Sequence, residues 1–237
     1  MITKFGIDIS HHQGNVDFEK VKADGVSFVI LKAGGSEYNK STKQGKDDKF
    51  EDYYKEAKRV GIPVGAYYYA GNGFVHGASA GIRDAGHFMQ LLAGKKFEYP
   101  VFIDVEQPIF NLHKDKVTDA TLAFCTELEQ AGYYIGIYAS DVSGFKSKLH
   151  DEKLQHFDHW VAKYSDSGKK PVYVKKYGIW QFSSTGKVEG IKGNVDLDYA
   201  YKNYEAAIKK AHLNGYHPAV FRLLRDGYRY LLRLQNR

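Results

Sequence analysis

Two acids, two residues apart in an apolar run, are the residues of this chain best placed to do chemistry. In YPVFIDVEQ, Tyr99 to Gln107, the residues Val101, Phe102, Ile103 and Val105 are of the β-branched or aromatic kind that fill a buried strand, and Asp104 and Glu106 sit among them. Residues i and i+2 of a strand point to the same side with Cα atoms roughly 6.5 to 7 Å apart, so both carboxylates project into one space. Such a pair separates into one proton donor and one charged partner, because like charges at close range push one pKa up and burial adds to the push. The other reading of the stretch is a strand end whose acids are solvated or salt-bridged.

A scaffold able to hold such a pair is written along the chain. FGIDIS, Phe5 to Ser10, is a short strand with Asp8 near its C-terminal end. A helical stretch from Asn15 stops at Gly25. The nearly continuous apolar run from Val26 to Ala33 has the pattern of a parallel strand covered on both faces, and it ends in Lys32 and Gly34-Gly35. Helical spacing from Phe50 to Gly61, a strand from Ile62 to Ala70 and a helix from about His76 to Leu92 follow. After the Asp104 strand, a helix starts at Thr118 or Asp119 and ends at Gly132, then YYIGIYAS forms a strand. Asp158 to Ser165 and Tyr177 to Ser184 are the last two clear strands. Alternation of strand and helix to past residue 140 predicts a parallel α/β fold, with a single β/α barrel of the TIM-barrel type ahead of an open sheet. No Pro-, Gly- or Ser-rich linker divides residues 1–212, which we assign to one catalytic domain.

The polar residues fall into place on this scheme. Asp8, Lys32, Tyr67 or Tyr69, Asp104 and Glu106, Tyr138, Tyr164 and Gln181 all lie at or near the C-terminal ends of successive strands. In a β/α barrel those ends form the active-site face. The apolar content of 43% against 26% charged residues is that of an ordinary globular protein. No apolar run approaches the roughly 20 residues of a membrane span. MITKFGIDIS lacks the apolar core and cleavage site of a secretory signal, so the expectation is a chain made in the cytoplasm that acts elsewhere after release. The lone Cys125 permits neither an internal disulfide nor a cysteine zinc site and reads as core. The 19 tyrosines suit sugar faces as well as a core, and the formal charge of +6 suggests an anionic partner.

With these residues in view, the chain resembles the family-25 glycoside hydrolases, the Chalaropsis-type lysozymes found among phage endolysins and bacterial autolysins. The resemblance runs from Phe5 to about Tyr201 through GIDIS, FVILKA, the D..F....A...G pattern from Asp47 to Gly61, GAYYYA, the D-x-E strand, GIYAS, WVAKY, YGIWQFSS and VDLD, in that order. It implies cleavage of the β-1,4 bond between N-acetylmuramic acid and N-acetylglucosamine in peptidoglycan, on a flattened, irregular β/α barrel, without a cofactor or metal. It also implies an acid cluster of Asp8, Asp104, Glu106 and Asp196. In that cluster Glu106 is the general acid and then base, its pKa raised by Asp104 and by desolvation, while Asp104 stays charged. Asp104 either attacks the anomeric carbon or steadies the N-acetyl group acting as internal nucleophile; both routes retain configuration, and the direct one expects carboxyls about 5 to 5.5 Å apart. Tyr67, Tyr69, Tyr138, Lys32, Trp180 and Gln181 are the expected sugar-binding residues.

Some positions depart from the family pattern or admit rival readings. Many relatives carry Thr-Glu-Gly after the lysine, where this chain has Ala33-Gly34-Gly35-Ser36-Glu37, and Glu37 replaces the missing acid only if the loop is reshaped. Asp198 competes with Asp196 for the fourth acidic place. His11 and His12 are adjacent, point to different sides and border the groove rather than bind a metal. Trp160 reads as core. Residues 213–237 carry five arginines against Asp226, giving +4 of the total +6, and read as a basic amphipathic helical tail, either packed on the barrel with a solvated arginine face or suited to anionic wall polymers or a membrane surface; no nucleic-acid motif accompanies it. A barrel that binds wall glycan without cutting it is the alternative function.

Overall fold

The alternation of small and large residues along each strand decides which side faces the barrel axis. The computed structural model describes residues 3–39, 44–165 and 167–216. In chain order its strands are β1 (Lys4–Ile9), β2 (Phe28–Asn39), β3 (Gln44–Lys46), β4 (Val64–Tyr69), β5 (Val101–Asp104), β6 (Ile135–Ser140), β7 (Asp158–Ala162), β8 (Ile179–Gly186) and β9 (Val195–Ala200). They pair in the order β1-β9-β8-β7-β6-β5-β4-β2, and β1 pairs again with β2 to close eight strands into a barrel; β3 lies outside as an antiparallel addition to β2. All barrel strands are parallel except β9, which runs antiparallel to both neighbours.

Four helices, α1 (Phe18–Ala23), α2 (Phe50–Val60), α3 (Ala78–Leu92) and α4 (Lys114–Gln130), cover the strands of the first half. Between β6 and β8 the described chain makes only short 3₁₀ and π turns, so the helical ring is incomplete and the barrel irregular, as expected. Helix α4 starts four residues ahead of the expected Thr118. The reason is that the Thr118 and Thr121 hydroxyls donate to the carbonyls of Lys114 and Val117 one turn back, and so sit inside the helix instead of capping it. The second strand also runs beyond Ala33 to Asn39.

The core has two layers. Ile7, Val29, Leu31, Val64, Val101, Ile103 and Ile137 point outward and are buried under the helices. Phe28, Ile30, Phe102, Tyr138, Trp160 and Ile179 fill the barrel itself. Two inward positions are glycine because aromatic rings take the space: a Cβ on Gly6 would lie 2.3 Å from the Phe28 ring, and one on Gly136 would lie 2.6 Å from Phe102. A fifth helix, α5 (Tyr204–Lys210), and the turn after it close the end of the barrel where the parallel strands begin. Tyr204 donates to Asp158 Oδ2 at 2.7 Å, and the fully buried Asn214 accepts from the Tyr134 amide at 2.7 Å and donates to the Tyr99 carbonyl at 2.9 Å. Residues 213–216, which the sequence reading grouped with the tail, therefore pack as part of the barrel. The remainder of the expected tail, 217–237, lies outside the described residues, as does the Glu37 side chain.

Candidate active site

At the opposite end of the barrel, where the parallel strands finish, the inward residues enclose a pit of about 230 Å³. Asp8, Tyr67, Asp104, Glu106, Tyr138 and Asp196 line it, so all four expected acids meet there. Strand direction explains how. Asp104 ends the parallel strand β5, whereas Asp196 stands near the beginning of the antiparallel β9, which brings its first residues to the same face. Asp8 pairs directly with Asp196 across the ladder, and directly opposed residues share a side.

The D-x-E pair is less symmetric than two residues of one strand would be. The strand stops at Asp104, because Pro108 opens a 3₁₀ turn and leaves Glu106 on the connecting segment. Asp104 is consequently 4% exposed, with its Oδ1 lacking a hydrogen-bond donor among the described residues, while Glu106 stands exposed at the rim. Burial, then the charge of Glu106, pushes the Asp104 carboxyl well above the usual range, and the Lys32 ammonium pulls against both. Protein packed around the inner side of Glu106 raises its carboxyl too, opposed by Lys32 and Lys148. Both carboxyls of the pair are thus held above the usual range with burial as the largest cause, and Asp104 is itself driven towards the neutral form.

Deeper in the pit a chain of hydrogen bonds fixes the walls. Gln181 Oε1 accepts from Tyr138 Oη at 2.8 Å and from Tyr164 Oη at 3.0 Å, and its Nε2 donates to Asp8 Oδ2 at 2.7 Å. Below Asp8 lies Asp198, fully buried, with its Oδ1 accepting from the Trp160 indole at 2.7 Å. Asp198 Oδ2 has no hydrogen-bond partner among the described residues, and the Asp8 and Asp198 carboxyls are close enough for the charge of Asp198 to act on Asp8. Burial holds both above the usual range, helped at Asp8 by the charges of Asp198 and Asp196 and at Asp198 by that of Asp196, against the Gln181 and Trp160 hydrogen bonds that favour their anions. Asp196 faces the pit instead of the floor, and burial and Glu106 bring it to about 6. The two aspartates of VDLD thus have different places, Asp196 at the pit and Asp198 beneath it.

Of the expected sugar-binding residues, Tyr67, Tyr138 and Gln181 line the pit. Lys32 and Tyr69 stand beside it, with the ammonium 4.7 Å from the Tyr69 ring centroid and its charge felt at Asp104 and Glu106. Trp180 does not face it. Because Gln181 points inward, its neighbour must point outward, and Trp180 packs on Phe182 and Tyr199 with its indole N–H on the Lys163 carbonyl at 2.9 Å. Trp160 is core, as read, and its buried ring also forms part of the pit lining between Tyr67, Phe102 and Tyr138. Lys148 and Ser184 were not among the expected site residues; Ser184 closes the YGIWQFSS motif, whereas Lys148 lies in no motif. His11 binds Asp47 at 2.6 Å and its ring contacts that of His12, away from the pit lining.

Comparison with known proteins identifies a family and several relatives. The family model described as glycosyl hydrolases family 25 matches residues 7–191. An autolytic lysozyme of Clostridium acetobutylicum is 31% identical over 194 residues, which cover 81% of this chain and 54% of that protein. Lysozyme M1 of Streptomyces globisporus is 27% identical over 214 residues, covering 81% of this chain and 65% of the relative. The chain thus spans between about half and two thirds of the length of these relatives. Among solved structures, the modular autolysin LytC of Streptococcus pneumoniae in complex with a synthetic peptidoglycan ligand superimposes with a TM-score of 0.69 at 25% identity, over 84% of this chain and 47% of that one.

Proposed function

The chain belongs to glycosyl hydrolases family 25, and from that premise we propose that it is a lysozyme, an N-acetylmuramidase that hydrolyses the β-1,4 bond between N-acetylmuramic acid and N-acetylglucosamine in bacterial peptidoglycan. The observation that carries the proposal is the Asp104 carboxyl, buried in the pit with one oxygen unpartnered among the described residues, beside an acid at the rim. A buried polar atom without a donor is costly, and a barrel that only bound glycan would gain nothing from it. That argues against the non-catalytic alternative.

In this reading Glu106 donates its proton to the leaving oxygen as the glycosidic bond breaks. Positive charge then develops at the anomeric carbon, and next to that charge the anionic form of Asp104 becomes favourable. Asp104 acts there as nucleophile or as stabiliser of the N-acetyl group when the latter attacks. Glu106, now anionic, takes a proton from the incoming water, and configuration is retained. Tyr67 keeps its phenol proton, since burial and the surrounding carboxylates push it well up, and so offers the sugar a neutral donor. A pit of about 230 Å³ is smaller than the roughly 300–1,000 Å³ of drug-sized sites, which suits one residue of a chain whose neighbours lie over the rim.

Glu106→Gln tests the assignment. It should slow clearing of a cell-wall suspension by about 10²–10⁴-fold, the usual contribution of a positioned general acid, with the circular dichroism spectrum unchanged. Undiminished clearing would remove Glu106 from this role. The wall is also the proposed place of action, and the arginine-rich stretch 217–237 is proposed to add contact with anionic wall polymers or a membrane surface. Truncation at Tyr216 should then weaken wall retention more at low salt than at high salt.

A further inference from the structure

A second cavity, of about 650 Å³, opens at the end of the barrel remote from the acids. It is built where β7 begins, just before β8 and just after β9, because the antiparallel β9 delivers its last residues to the end where its parallel neighbours start. Its chemistry is the reverse of the catalytic pit. Lys170, Lys175, Lys176 and Lys202 surround it, and Asp158 is the lone carboxylate in its lining. That carboxylate is already engaged by Lys202 at 2.9 Å and by the Tyr204 and Tyr134 hydroxyls. Lys176 has no partner among the described residues, and Lys170 lies 5.8 Å from the Tyr201 ring centroid. Tyr177 and Tyr201 form an edge-to-face pair with centroids 5.8 Å apart, presenting apolar ring faces under the ammonium groups.

We infer that this cavity is a binding site for phosphate-bearing sugar or polyol units, separate from the site of hydrolysis. Lysine binds phosphate as a mobile point charge, and a tyrosine face with a polar edge suits the C–H face of a sugar or polyol. Three of the four lysine charges are left over once Asp158 is neutralised, so the cavity carries net positive charge. Its volume falls within the usual span for small-ligand sites, and its concave form suits a repeating unit that enters from the side of a polymer. An extended duplex or a bilayer calls for an open basic surface instead. Because the cavity and the acidic pit lie at opposite ends of the barrel, a polymer held in one leaves the other open to glycan. The binding does not depend on hydrolysis, and its test can succeed or fail independently of the muramidase proposal.

Calorimetric titration of the full chain with a synthetic glycerol phosphate oligomer, at physiological salt, measures it. The expected result is binding that weakens at least tenfold in Lys170→Glu/Lys176→Glu and several-fold in Tyr201→Ala. Tyr201→Phe and Glu106→Gln should bind as the parent does, and neutral chitotetraose should not compete for the cavity. Both lysines are exposed, so their reversal leaves the fold in place. Unchanged affinity in the lysine double variant would overturn the inference. So would an equally charged single-stranded DNA oligomer bound as tightly and without loss in Tyr201→Ala, or binding confined to phosphatidylglycerol vesicles.

Discussion

Gln181 accepts two hydrogen bonds and donates one, and in doing so it fixes what Asp8 is able to be. Asp8 Oδ2 accepts from the Gln181 amide, while burial and the charges of Asp198 and Asp196 drive the Asp8 carboxyl towards the neutral acid. An asparagine is uncharged and keeps an oxygen for the Gln181 amide, and an alanine keeps none. Asp8→Asn should therefore keep at least tenfold more wall-clearing activity than Asp8→Ala, about the effect of 1–2 kcal/mol from a buried donor left bare. Equal losses in the two variants would show that Asp8 works as an anion. At this scale the acids of the site were legible as types and places, but not their proton distribution. Which of Asp104 and Glu106 is pushed harder depends on where the strand stops and on Lys32 and Lys148, and the latter comes from a segment with no motif.

Among the elements, the closing turn after α5 does more than its length suggests. Asn214 has a positive φ of 52°, a conformation that asparagine tolerates better than most residues, and its amide ties the segment before β6 to the one before β5. Asn214→Ala leaves a buried amide and a buried carbonyl without their partner. It should cost about 2–4 kcal/mol and lower the melting temperature by roughly 5–15 °C, read by calorimetry. A shift within 2 °C would mean the turn is not part of the folded unit. Nothing in LNGYH announced this, since the contacts reach back 80 and 115 residues. The parallel strands, by contrast, were readable from their apolar runs and their Gly or Asn stops. The direction of β9 was not, because VDLDYA alternates equally well either way; yet that direction places Asp196 at the pit and Tyr201 at the other end. The Trp180 misplacement was avoidable from period-2 alternation alone, given Gln181 inside.

For the molecule as a whole, a barrel that concentrates carboxyls at one end carries a pH-dependent load. Asp8, Asp104, Asp196 and Asp198 all sit above the ordinary aspartate range in the fold, so the folded state binds more protons than the unfolded chain once pH exceeds about 4. Stability from these groups is fully present below that pH and declines as each folded value is passed, the window for Asp196 running from about 4 to about 6. Asp196→Asn should melt with the parent near pH 4 and about 2–4 °C higher at pH 7, corresponding to roughly 1 kcal/mol after solvent screening at this partly exposed position. A difference that does not change with pH would contradict this assignment of charge. The barrel's central claim concerns which bond the acidic end cuts. Mass spectrometry of purified peptidoglycan digested by the full chain, with borohydride reduction of new chain ends, decides it most directly. Reduced muramic acid is expected at the new ends and none with Glu106→Gln; reduced glucosamine, or no new ends from the parent protein, would contradict muramidase cleavage.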